Sequence, residues 1–181
     1  MLKAKAWPRG CVQVYTGDGK GKTTAAFGLA LRAAGYGLRT FIGQFMKGTD
    51  YGELYGAQQL GGLITVEQFG SRTCLEYSAT PDPANVADAQ RGLARCREVM
   101  LSGEYAIVVL DEACVALHFK LLTVDELLSV VLARPLGLEL VITGRYAPQE
   151  LLDRADLITV MREVKHYYSV LKLPARDGIE R

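Results

Sequence analysis

Charge of one sign is the first thing this sequence lacks. Its 21 basic and 20 acidic residues nearly cancel, leaving a formal net charge of +1. No basic excess points to nucleic acid, and no acidic tail is present. Long apolar runs are missing too: none reaches the roughly 18 residues that a membrane-spanning helix needs. The first ten residues, MLKAKAWPRG, contain no apolar stretch of the kind that a secretory signal has. Cysteine is sparse and unclustered. Cys11, Cys74, Cys96 and Cys114 form no C-x-x-C pair, and with only two histidines no zinc-ligand spacing arises. These thiols read as free, in a reducing compartment. The expectation is a cytoplasmic protein that neither enters a membrane nor binds nucleic acid.

Repeats, low-complexity segments and linker-like stretches are also lacking. Residues 1–181 are therefore expected to form a single domain, with less regular ends at 1–10 and 163–181. What is present is globular in composition, 49% hydrophobic and 23% charged. A chain of this length can bury a substantial core.

The apolar segments alternate in type. Short β-rich runs fall at 11–15, 38–45, 63–68, 105–110, 138–142 and 156–161. Helical spacing falls at 22–34, 53–60, 84–102, 123–133 and 148–154. Thr123 and Glu126 form a Thr-x-x-Glu capping box, and Gly35 and Gly103 mark helix ends. Residues 69–83 read as a loop, and the tail from Glu163 as polar and irregular. Strands alternating with helices predict a three-layer α/β fold with a mainly parallel sheet of about six strands. Such sheets bind ligands at the carboxyl ends of their strands, where the polar clusters fall.

The first cluster is TGDGKGKTT, Thr16 to Thr24, between the first strand and the first helix. Glycines let backbone N–H groups face phosphate oxygens, and the following helix adds its positive end. Lys22 suits phosphate charge, and the Thr23 hydroxyl suits Mg²⁺. Yet the motif departs from G-x-x-x-x-G-K-[ST]: Thr16 stands where the first glycine belongs, and the glycines alternate as Gly17, Gly19 and Gly21, with Asp18 and Lys20 between. A glycine-rich turn that merely starts a helix is the competing reading; the flanking strand and helix favour phosphate binding, and with it a P-loop NTPase-like (RecA-like) form of the three-layer fold.

The second cluster, YAIVVLDE, ends a buried strand in Asp111 and Glu112, the acidic partner that a phosphate loop requires for Mg²⁺. Arg145, in Thr143-Gly144-Arg145, is placed to clamp phosphate, though a surface arginine fits the same pattern. His166 suits an interface better than a general base, since no carboxylate neighbour orients it. Lys47 can be read equally as a ligand contact or as a solvated side chain. These residues by themselves describe a Mg-nucleotide protein. They leave open an ATPase or kinase in which Glu112 activates water or a hydroxyl, and a non-enzymatic carrier.

Taken as a set, TGDGKGKTTAAFGLALRAAG, QFMKG, VVLDEA, LELVITGR and VKHYY resemble the ATP:corrinoid adenosyltransferases of the bacterial cobalamin-biosynthesis type, over nearly the whole chain. The resemblance implies transfer of the 5′-deoxyadenosyl group of MgATP to the Co(I) of cobalamin or another corrinoid, releasing tripolyphosphate. It implies a nucleotide lying reversed in the loop, so that C5′ faces the corrinoid. It also implies that Gly17, Asp18, Gly19, Lys20, Gly21, Lys22, Thr23 and Thr24 hold the triphosphate with Arg145. Thr23 and Glu112 would be Mg²⁺ ligands, with Asp111 acting through water. Lys22 and Glu112 would be central to catalysis. A flavoprotein reductant and a homodimer are the implied partners. One departure stands out: many members carry Phe-x-Trp after the third strand, and Thr73 and Leu75 stand there here.

Overall fold

A computed structural model describes residues 7–70 and 81–180 of the 181-residue chain. The positions of Thr73, Leu75 and Cys74 lie outside the described residues.

Six strands form one sheet in the order β3-β2-β4-β5-β1-β6, and every neighbouring pair is parallel. They are β1 (Val12–Thr16), β2 (Thr40–Phe45), β3 (Ile64–Phe69), β4 (Ile107–Asp111), β5 (Glu139–Thr143) and β6 (Leu157–Val160). The helices are α1 (Lys22–Gly35), α2 (Gly52–Gln58), α3 (Pro83–Leu101), α4 (Ala113–His118), α5 (Val124–Leu132), α6 (Gln149–Leu152) and α7 (Tyr167–Leu171).

The period-two alternation of strands divides the core between the two faces. Val108 and Leu110 of β4 and Leu140 and Ile142 of β5 enter one cluster, with residues of α3, α5 and α6. Ile107, Val109 and Val141 enter the other, with Ala26, Ala30 and Ala33 of α1 and Ala57 of α2. Small alanines let α1 lie close over the sheet centre, which brings its first turn to the carboxyl edge beside β4 and β5.

Helix starts follow local chemistry. Thr123 and Glu126 make the expected reciprocal capping box. Asp82 caps α3 by accepting from the Ala84 N–H, with Pro83 in the first turn. Two helices were not legible in the sequence. Helix α4 follows β4 with no intervening loop, and α7 forms within the tail expected to be irregular, capped by His166. Both are too short for a 3.6-residue periodicity to register.

Candidate functional site

The carboxyl ends of β1, β2, β4 and β5 open into a cleft of about 670 Å³, within the range of small-molecule sites. It is lined by the loop from Asp18 to Thr24, by Glu112 and Arg145, by Lys47 and Glu53, and by His166 and Gly178 to Glu180 of the tail. Of the residues expected from sequence, Gly17 and Asp111 do not line it. Gly17 faces the backbone of Met161. Asp111 lies beneath the loop, fully buried.

Two of the alternating glycines, Gly17 and Gly19, have a tertiary cause, whereas Gly21 is required by its own backbone, at φ +119°. The backbone that leaves β6 crosses directly over the loop, and the Gly19 N–H donates to Met161 O at 2.7 Å. A Cβ at Gly17 would stand 2.4 Å from Met161 O, and one at Gly19 would stand 2.8 Å from Arg162 C. Gly17 also has φ +97°, a conformation that side chains disfavour. Asp18 fastens the same crossing by accepting from the Glu163 N–H at 3.2 Å. This hydrogen bond holds its carboxyl below the usual range.

Lys22 is buried at the start of α1, and its ammonium donates to the carbonyls of Gly17 and Gly19, both at 2.7 Å. Burial pulls its pKa down, against the attraction of Glu112. Lys20, on the open side, bonds to Glu180 at 2.8 Å, Ile179 O at 2.9 Å and the Tyr167 hydroxyl at 3.2 Å. The tail thus folds back over the phosphate loop instead of trailing free. Arg145 is exposed at the rim of the cleft.

Beneath the loop is a bonded carboxylate. Asp111 Oδ1 accepts from the Thr23 hydroxyl at 2.9 Å and the Thr143 hydroxyl at 2.7 Å. Its Oδ2 accepts from Gln44 Nε2 and from Lys47 Nζ, both at 3.1 Å. Lys47 is therefore not a solvated surface lysine. Burial works against its charge, but Asp111 and Glu53 outweigh that and raise its pKa.

Glu112 differs from its neighbour. It sits at φ +63°, so the chain turns sharply from β4 into α4 and the side chain enters the cleft. Among the described residues nothing donates a hydrogen bond to its carboxylate. Burial, then the charge of Asp111, pushes its pKa up. A half-buried carboxylate without a donor, lining the same cleft as Thr23 at a helix start, is a donor set that fits a hard, oxygen-seeking cation such as Mg²⁺.

Sequence reasoning missed Gln44, Glu53 and Thr143 as parts of this network, and the tail residues Tyr167, Ile179 and Glu180. The block QFMKG was the available signal for Gln44 and Lys47, and the block VKHYY for Tyr167; neither block indicated that the tail returns to Lys20.

Residues 8–181 match the model of the family described as ATP:corrinoid adenosyltransferase BtuR/CobO/CobP. The chain belongs to the ATP:corrinoid adenosyltransferase family. It is 36% identical to the corrinoid adenosyltransferase CobA of Salmonella typhimurium over 95% of its own length and 86% of that protein's. It is 33% identical to the corrinoid adenosyltransferase of Escherichia coli K12, again over 95% and 86%. An uncharacterized Nostoc protein is 37% identical over 87% of this chain, which spans only 45% of that relative. The structure of the RadB recombinase superposes with a TM-score of 0.55 at 15% identity, covering 88% of this chain and 78% of the other. That likeness carries the RecA-like fold expected from sequence, and the fold alone. Family membership makes this protein a corrinoid adenosyltransferase-type enzyme, with ATP and a corrinoid as its substrates. Among the described residues no helix is long and apolar enough to cross a membrane.

Proposed function

We propose that the cleft binds MgATP by its triphosphate and presents C5′ of the ribose to a reduced corrinoid. The observation that carries this is the convergence of Lys22, Thr23, Glu112 and Arg145 on one cleft at the carboxyl edge of the sheet. In the reaction the Co(I) of the corrinoid substrate supplies an electron pair to C5′. The bond from C5′ to the triphosphate oxygen breaks, and that oxygen keeps the pair as tripolyphosphate leaves. The product holds a cobalt–carbon bond, and no protein nucleophile is required.

The protein's part is to bind, orient and stabilise a departing polyanion. The loop from Gly17 to Thr24 would hold the triphosphate. Lys22, released from the carbonyls of Gly17 and Gly19, would offer its ammonium to phosphate oxygens, with Lys20 and Arg145 adding charge. Thr23 and Glu112 would hold Mg²⁺, which supplies further countercharge when bound; Asp111 would orient Thr23. We assign residues 1–181 to one domain, and expect a cytoplasmic homodimer served by a flavoprotein reductant, as the family resemblance implies.

A product assay tests this. Tripolyphosphate formed only with reduced corrinoid is the expected result. ADP and orthophosphate released without corrinoid would instead assign Glu112 to the activation of water.

A further inference from the structure

We propose that Lys47 is a positioning residue of this reaction: it fixes Asp111, and through it the Thr23 hydroxyl, before MgATP arrives. The inference rests on the nucleotide-binding reading above.

A carboxylate with no solvent contact needs a counter-charge and a full set of donors. Asp111 is 0% exposed. Hydroxyls supply the donors at Oδ1, and Lys47 is, among the described residues, the only cation bonded to Asp111. Lys22 is unavailable for this, because its ammonium is turned to the loop carbonyls. The Lys47 side chain is 15% exposed and reaches Glu53 Oε1 at 3.4 Å on its other side. It lies 5.0 Å from the centre of the Tyr51 ring. One ammonium thus joins β2, β4 and the start of α2 around the carboxylate that holds Thr23.

The backbone is bent to deliver it. Met46, at the end of β2, has φ +59°, a costly conformation for a residue with a side chain. That turn is fixed by the Met46 N–H donating to Phe69 O at 2.8 Å. Gly70 presses against it so closely that a Cβ there would stand 2.8 Å from Lys47 N. Strained backbone held in place by its surroundings is a mark of functional positioning. Here it turns Lys47 inward, toward Asp111, at the floor of the cleft.

The test is a double-mutant cycle with Lys47→Met and Asp111→Asn on the full chain. Calorimetry measures ATP affinity with and without Mg²⁺, and thermal unfolding is followed without nucleotide. Lys47→Met is expected to weaken MgATP binding at least tenfold in the wild-type background and less than twofold beside Asp111→Asn. It should also lower Tm, and the added Asp111→Asn should recover most of that loss by removing the unpaired charge. If Lys47→Met alone does not fold, recovery of a folded double variant supports the proposal. An equal loss of MgATP affinity in both backgrounds would mean that Lys47 meets the phosphates directly, and would overturn it. So would a double variant no more stable than Lys47→Met. If the wild type binds ATP no better with Mg²⁺ than without, the assignment of Thr23 and Glu112 falls, and this inference falls with it. Failure of the Lys47 cycle alone leaves that assignment standing.

Discussion

Replacing Gly17 by alanine isolates the cause given for the alternating glycines. The new methyl carbon would lie 2.4 Å from Met161 O and 2.9 Å from Met161 N. Met161 cannot simply move away. Its N–H donates to Thr16 O at 2.8 Å, and its carbonyl accepts from the Gly19 N–H at 2.7 Å. Losing those two bonds costs about 1 kcal/mol each. A side chain at φ +97° adds strain of about 1–3 kcal/mol. The sum is about 3–5 kcal/mol, which for a chain of this size lowers Tm by about 6–20 °C. Gly28→Ala is the matched control. Gly28 lies inside α1 with nothing within 4 Å of a built Cβ, so alanine should stabilise by about 0.5–1 kcal/mol. Thermal unfolding followed by circular dichroism reads both, and ATP titration reads the loop. A Gly17→Ala protein with a Tm within about 2 °C of wild type and normal ATP affinity would refute the crossing of residues 161–162 as the reason for glycine here.

Lys22→Ala should weaken ATP binding and abolish turnover, because it removes the buried ammonium of the loop; near-normal kcat/KM would sink the phosphate-loop assignment. Glu112→Gln should lower adenosylation at least tenfold, about 1.4 kcal/mol of transition-state stabilisation. The same change should raise the stability of the nucleotide-free protein at neutral pH. The folded Glu112 holds its proton to a higher pH than the unfolded one, so wild-type stability falls as pH rises from the ordinary carboxylate range through the raised value. A stability difference between the two proteins that does not grow over that window would contradict it. Glu180→Gln should loosen the tail from Lys20, read as faster amide hydrogen exchange at residues 176–180; unchanged exchange would show that the ion pair does not hold the tail. The Glu180 carboxyl is held below the usual range by Arg176, Lys20 and Tyr167, so its clasp is present above the ordinary carboxylate pKa and is lost as pH falls through the depressed one.

The order of elements was legible in the sequence because it rests on local signals. Alternating strand and helix patterns, the capping box at Thr123 and the apolar run into Asp111 each depend on near neighbours. They sufficed for a parallel α/β fold and for placing Lys22, Thr23, Glu112 and Arg145 at strand ends around one cleft. The residue blocks then sufficed for the family. What depended on distant pieces of chain had no local mark. Helix α4 is six residues long and starts directly at Glu112, so no periodicity announces it. Lys47 could be solvated or bonded, and only the turn at Met46 and the burial of Asp111 decide between them. The tail from Glu163 reads as polar, and only its return to Lys20 makes it part of the cleft wall. The glycine pattern itself came out of the sequence as an anomaly. At Gly17 and Gly19 its steric reason is the backbone of Met161 and Arg162, about 140 residues later, which passes over the loop, a proximity that the tertiary structure alone creates.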